Sequence, residues 1–215
     1  MGKLCLFSKW RSSVKRAAVF AAAAVLLLSF SGCRRIEPER RAYPLALGFD
    51  WADGHYQVYY AMPDLGTYTG EGKAEDRTSL LWTYNGANYD EIERLINQSR
   101  DQQVDLGHVQ VILLGEGLLG HKDAYDETME YLLEQPVIGS GSYVLKSQDL
   151  AAVMETNGAL TDSLGEYLAD LIHKAAGEKP AVLQDLYNGW YNGEAIPQLM
   201  NVRTAGERIE VEGLE

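Results

Sequence analysis

The chain has 215 residues, with 31 Asp and Glu against 19 Lys and Arg and a formal net charge of -12. That balance argues against nucleic acid as a partner, because phosphate binding needs a basic face. Two cysteines, Cys5 and Cys33, are too few for a disulfide framework or a zinc-thiolate site.

Residues 1–32 carry Lys3, Lys9, Arg11, Lys15 and Arg16 with no acid, followed by the apolar run Ala17 to Phe30. These are the charged and hydrophobic regions of a signal peptide, and the apolar run is too short to span a bilayer comfortably. Phe30-Ser31-Gly32-Cys33 then reads as a bacterial lipobox, with Phe30 standing where leucine is usual. Cys33 is the expected lipidation site, and Cys5 leaves with the leader. The mature chain then has no thiol to act as a nucleophile. Removing five leader cations leaves 14 basic against 31 acidic side chains, a charge near -17. Residues 33–41 form a tether in which Arg34, Arg35, Arg40 and Arg41 enclose only Glu37 and Glu39. On anionic lipid each arginine would contribute up to about 1 kcal/mol. A merely solvated tether around Pro38 is the alternative.

Residues 42–215 are long enough to bury one core without covalent staples. Leu45, Leu47 and Phe49 alternate after Pro44, Asp53-Gly54 is a two-residue turn signal, and Tyr56, Val58, Tyr60 and Met62 alternate on the way back. This predicts a β-hairpin. Asp50, Asp53 and His55 near its tip have the chemistry of metal ligands, but the turn itself accounts for Asp53, and no metal is expected. A polar loop at 63–78 precedes a short strand from Ser79 to Tyr84, ended by Asn85-Gly86. Asn88 followed by Glu91 is a capping-box signal for a helix over Tyr89 to Arg100, with Ile92, Leu95, Ile96 and Ser99 on one face.

Val109 to Leu114 is an almost unbroken apolar, β-favouring run, and a strand apolar on both faces needs cover on both. It predicts the central strand. Gly115, Gly117 and Gly120 follow it in the spacing of a dinucleotide-binding turn. Glu116 would set a carboxylate where a pyrophosphate belongs, no helix is expected to open on Gly120, and no acidic residue closes a second strand about 20 residues on, so no cofactor is expected. Asp123 is the expected cap of a helix over Ala124 to Glu134, with Tyr125, Met129, Leu132 and Leu133 buried. Ser142 to Lys146 reads as a further strand. Ser147 opens a helix with Leu150, Val153 and Met154, stopped at Asn157-Gly158. Another helix carries Leu164, Leu168, Leu171, Ile172 and Ala175 to Gly177, and Pro180 starts one with Leu183, Leu186 and Tyr187. The fold class is α/β (α+β), a mixed sheet with flanking helices in a single domain.

The catalytic inventory is poor. Of four histidines, His55, His108, His121 and His173, none sits in a nucleophile motif. His108 and Glu116 lie roughly 25 Å apart along an extended strand, so they do not make one site, and His108 reads as a packed strand-edge residue. His173 reads as exposed. Tyr187, Trp190 and Tyr191, broken by Asn188-Gly189 and Asn192-Gly193, suit either a core edge or a partner anchor, with the core edge favoured.

The order of Ala46 to Asp50, the helix Tyr89 to Arg100, Gly107 to Glu116 (GHVQVILLGE), Tyr131 to Pro136 (YLLEQP) and Ser142 to Leu145 (SYVL), behind a lipobox, resembles the N-terminal domain of Ger(x)C-type spore germination lipoproteins. The resemblance covers nearly all of the mature chain. It implies a non-catalytic, lipid-anchored subunit of a nutrient germinant receptor on the outer face of the inner spore membrane, beside polytopic subunits. Two features depart from the family. Arg34-Arg35 follow Cys33 where a tryptophan is usual, and the chain stops at Glu215, about where further domains are expected. The competing reading is an exported lipoprotein that binds or hydrolyses a small ligand at the Gly115 to Gly120 turn or at Asp50 and His55.

Overall fold

Hydrophobic alternation builds the sheet from its middle outward. In the computed structural model, residues 40–63, 80–160, 163–174, 179–206 and 208–213 are described. The leader, Cys33 and most of the tether, the loop residues 64–79, and Ala175 and Gly177 lie outside the described residues. Residues 39–215 cluster as one unit.

The first long strand pair is β2 (Ala46–Ala52) and β3 (His55–Ala61), antiparallel in the register Ala46↔Ala61 to Ala52↔His55. Asp53 and Gly54 join them with φ of 53° and 78°. Two consecutive positive φ angles mark the hairpin turn whose twist matches that of the strands. A two-residue strand, β1 (Arg41–Ala42), pairs in parallel with β5 (Gln103–Val104) as a separate small ribbon. Neither is long enough to leave a periodic signal.

Strand β4 (Leu81–Gly86) pairs with β3 at the sheet edge. The sequence ends this strand before Asn85-Gly86, whereas both residues pair with Gln57 and Tyr56. A Cβ on Gly86 would come within 2.8 Å of the Ile92 side chain, so the glycine lets the next helix close on the strand end rather than turning the chain. That helix is α1 (Tyr89–Ser99). Asn88 Oδ1 accepts from the Glu91 amide at 2.9 Å, while Glu91 reaches back one residue further than expected, to the Ala87 amide at 2.9 Å. Tyr89, Ile92 and Ile96 are buried, but Leu95 is only half-buried and Ser99 is exposed.

The expected central strand is β6 (Val111–Gly115), hydrogen-bonded in parallel to β2 and to β7 (Tyr143–Ser147). Val111, Ile112, Leu113 and Leu114 are all fully buried. Ile112 and Leu114 face one layer, Val111 and Leu113 the other. Beyond β6 come the single turn α2 (Glu116–Leu119) and α3 (Lys122–Leu133). The cap of α3 is His121, whose Nδ1 accepts from the Ala124 amide, not Asp123. Asp123 lies in the first turn, where its charge favours the helix dipole. Thr128 takes the buried position assigned from sequence to Leu133, which is 48% exposed. The face through Tyr125, Met129 and Leu132 includes position 128, and 133 falls about 100° away from 132.

Ser147 closes β7, opposite Gly115, instead of opening a helix. Asp149 caps α4 (Leu150–Glu155) by accepting from the Ala152 amide at 3.2 Å. Asn157 does not stop this helix at the surface. Buried, it donates to the carbonyls of Met62 and Leu80 at 2.9 and 3.1 Å and accepts from Leu164 N at 2.9 Å. It thereby ties three distant segments together. Helices α5 (Leu164–Lys174) and α6 (Leu183–Tyr191) follow. The latter starts three residues after Pro180, where Asp185 accepts from the Val182 amide. The chain returns through β8 (Asn201–Ala205) and β9 (Arg208–Glu212), a hairpin absent from the sequence reading.

The main sheet runs β4-β3-β2-β6-β7-β8-β9. Its middle is parallel and both ends are antiparallel, a mixed sheet between two helical layers. Helices α1, α3 and α6 cover one face, α4 and α5 the other. The fold is the α/β class expected from the sequence.

Candidate functional site

The glycine-spaced turn after the central strand is filled from within. Asp50, one residue beyond the last β2–β6 pair Phe49↔Leu114, packs against Gly115, and its Oδ1 accepts from Leu118 N at 3.0 Å and from Trp51 N at 2.8 Å. A Cβ on Gly115 would stand 2.0 Å from the Asp50 carboxyl carbon, and one on Gly117 would stand 2.2 Å from the Trp51 carbonyl oxygen. The two glycines thus admit an internal carboxylate and a neighbouring backbone. Asp50 and the Trp51 backbone take the space beside Gly115 and Gly117, whereas Glu116, the carboxylate singled out from the sequence, is exposed.

This also takes Asp50 away from the hairpin tip. His55 is exposed there, its Nδ1 3.0 Å from the Asp53 carbonyl oxygen. Among the described residues, no three His, Cys, Asp or Glu side chains converge to hold a metal ion. The other histidines make local contacts, and His108, read from the sequence as a packed strand-edge residue, instead ends a short helical turn ahead of β6. His108 is exposed with its ring edge-on to Tyr43 at 5.1 Å, His121 caps α3 with its ring 5.2 Å from Trp51, and His173 reaches the Tyr143 hydroxyl at 3.4 Å.

An aromatic column runs under α1 and α3. Trp51 meets Tyr56 at 4.6 Å, Tyr56 meets Tyr89 at 4.6 Å, and Tyr89 stacks on Tyr131 at 4.1 Å with ring planes 6° apart. Hydroxyls fasten it: Tyr56 donates to Glu127 at 2.6 Å and Tyr89 shares a 2.6 Å bond with Thr128, which donates to the Ala124 carbonyl. Burial raises the Tyr56, Tyr60 and Tyr89 phenols above their ordinary value and pushes Tyr131 up to about 12, with Glu93 adding to the last. The column is a neutral, hydrogen-bonded core rather than a set of reactive groups.

Two grooves open on this same side. One, about 390 Å³, lies beside the β1 and β5 ribbon and is lined by Arg41, Tyr60, Glu93, Ile96, Asp105 and Tyr131 among others. Arg41 pairs with Asp105 at 2.7 Å. The Gly107 amide, then Arg41, hold the Asp105 carboxyl below its ordinary value. The second, about 520 Å³, runs between α3 and the segment after α6, over Tyr125, Asp126, Glu130, Trp190, Glu194 and Ile196. Trp190 Nε1 donates to Asp126 Oδ1 at 3.0 Å, and Asp126 also pairs with Lys122. Tyr187 and Trp190 pack against the core, as the favoured reading of that aromatic cluster expects. Tyr191 departs from it, at 86% exposed. The partners on α3, Asp126 and Glu127, carry no signal in sequence because their contacts span about 60 to 70 positions.

The family model for the spore germination protein N-terminal domain matches residues 34–200, well over half of the chain. The chain belongs to this family. No curated protein and no solved structure matches it. The matched segment begins at Arg34 and ends at Met200, and the β8 and β9 hairpin, which completes the same sheet, follows it. The protein has a role in spore germination. The lining residues of both grooves all lie within the matched residues.

Proposed function

We propose that the protein is a lipid-anchored, non-catalytic subunit of a nutrient germinant receptor, attached through Cys33 to the outer face of the inner spore membrane beside polytopic subunits. The observation that carries this reading is the family match beginning at Arg34, one residue after the lipobox cysteine. No helix among the described residues is long and apolar enough to cross a membrane. In this account a lipid on Cys33 supplies the attachment. One acyl chain binds a bilayer only marginally, and several on one cysteine bind stably. The groups nearest to catalytic chemistry are engaged in building the fold: Asp50 caps α2 and His121 caps α3. The mechanism is positional, with tether and lipid holding an acidic body against membrane partners.

A tagged pull-down from detergent-solubilised spore membranes, read by mass spectrometry, tests it. Recovery of two polytopic subunits is the expected result. Recovery of the protein alone would remove the receptor role. A ligand-binding reading retains one supporting observation, the 390 Å³ groove beside Arg41 and Asp105, which is of the size of small-molecule sites. It no longer has the Gly115 to Gly120 turn as its site, since Asp50 fills that space. On that reading a small ligand raises the melting temperature and Tyr131→Ala abolishes the shift.

A further inference from the structure

The groove between α3 and residues 193–196 has an apolar floor and an acidic rim. Leu119, Tyr125 and Trp190 supply the floor, Ala195 and Ile196 an exposed apolar edge, and Asp126, Glu130 and Glu194 stand against the single cation of the lining, Lys122. Lys122 is already paired with Asp126, which also accepts the Trp190 indole N–H. Glu130 and Glu194 are exposed and form no ion pair among the described residues, so the groove keeps two uncompensated carboxylates in its lining. From Lys122 to Glu130 the wall formed by α3 is roughly 12 Å long, enough for three or four residues of extended chain. Ile196 is 36% exposed at one edge and Tyr191 86% exposed just outside the lining.

We propose that this groove seats a short basic segment of a membrane-embedded partner, with an arginine or lysine between Glu130 and Glu194 and an adjoining apolar side chain on Trp190 and Tyr125. The charges are complementary, and indole and phenol faces favour a guanidinium over an anion. A floor of aromatic side chains with a polar rim is the make-up of interface anchor sites. This assignment rests on the receptor-subunit reading, because it takes the partner to be one of the polytopic subunits.

The test is site-specific photocrosslinking in intact spores, with p-benzoylphenylalanine in place of Ile196 in the full-length chain, followed by identification of the crosslinked peptide. The expected product joins position 196 to a peptide of an integral membrane protein that carries at least one Lys or Arg beside an apolar residue. In the double variant Glu130→Gln/Glu194→Gln, which removes two surface charges without changing shape, the yield falls several-fold while the melting temperature holds. Three results overturn the proposal: an adduct on an acidic or neutral peptide, an adduct on residues 34–41 of this chain or a second copy, or no adduct although the tagged protein still recovers its membrane partners. If the partners are not recovered either, the receptor-subunit reading fails with it.

Discussion

The two faces of the sheet are built from different chemistry. Beneath α1, α3 and α6 the core is aromatic, with Phe49, Tyr56, Tyr60, Trp82, Tyr89 and Tyr125 buried and Trp51, Tyr131, Tyr187 and Trp190 packed at its margin. Beneath α4 and α5 it is aliphatic, with Leu113, Leu145, Leu150, Val153, Met154, Leu164 and Leu168 around a lone buried Tyr59. The aliphatic layer is held mainly by packing, with Asn157 tying Leu164 of α5 to Met62 and Leu80. Rings with hydroxyls at their tips reach the surface still hydrogen-bonded, and both grooves lie on that side. The proposed partner site therefore lies on the aromatic face, over the groove that Tyr125 and Trp190 line.

The largest effect is expected on the aliphatic face. Leu113→Ala removes a fully buried side chain of the central strand and should cost about 2–5 kcal/mol in urea unfolding. A loss under about 1 kcal/mol would show that this layer can collapse around the gap. Next comes the junction at the strand ends. Gly115→Ala brings a Cβ onto the Asp50 carboxylate and should cost about 1–3 kcal/mol. Combining it with Asp50→Ala should recover part of that loss, whereas additive losses would separate the two residues.

The aromatic face should be the alkali-sensitive one. Burial pushes Tyr125 and Tyr131 up to about 12, against about 10 in the unfolded chain. Below about pH 10 both states hold the phenolic proton and the stability from these groups is complete. Between pH 10 and 12 the unfolded chain ionises while the folded one does not, so stability falls, by up to about 1.4 kcal/mol per pH unit for each tyrosine. Urea midpoints measured across this range should fall with pH, and Tyr131→Phe should flatten the slope. An unchanged slope in that variant would place the sensitivity elsewhere. The smallest effect belongs to the edge of that face. Asn88→Ala removes the α1 cap and should cost about 1 kcal/mol.

What could be read in the sequence was local or periodic. The β2 and β3 hairpin, the α1 cap and the doubly buried strand follow from alternation, from Asn88 with Glu91, and from an apolar run between polar turns. Features that depend on distant partners were hidden. Asp50 looks like a hairpin-tip acid until β6 brings Gly115 beside it, and Asn157 looks like a helix stop until Met62, Leu80 and Leu164 converge on it. The β8 and β9 hairpin escaped for a different reason. Its cross-strand pairing includes Arg203 with Glu210 and Glu212 at 2.9 Å, and such charges mask the short alternation of Val202, Ile209 and Val211. Of the candidate surfaces, Trp190 was legible as an aromatic feature, but its acidic partner on α3 was not.

The most direct test of the central claim is the distribution of Cys33→Ala between membrane and soluble fractions of spores, with the wild-type protein alongside. The account predicts wild type in the membrane fraction and the variant released from it, folded with an unchanged melting temperature. A variant that stays in the membrane fraction would contradict attachment through Cys33.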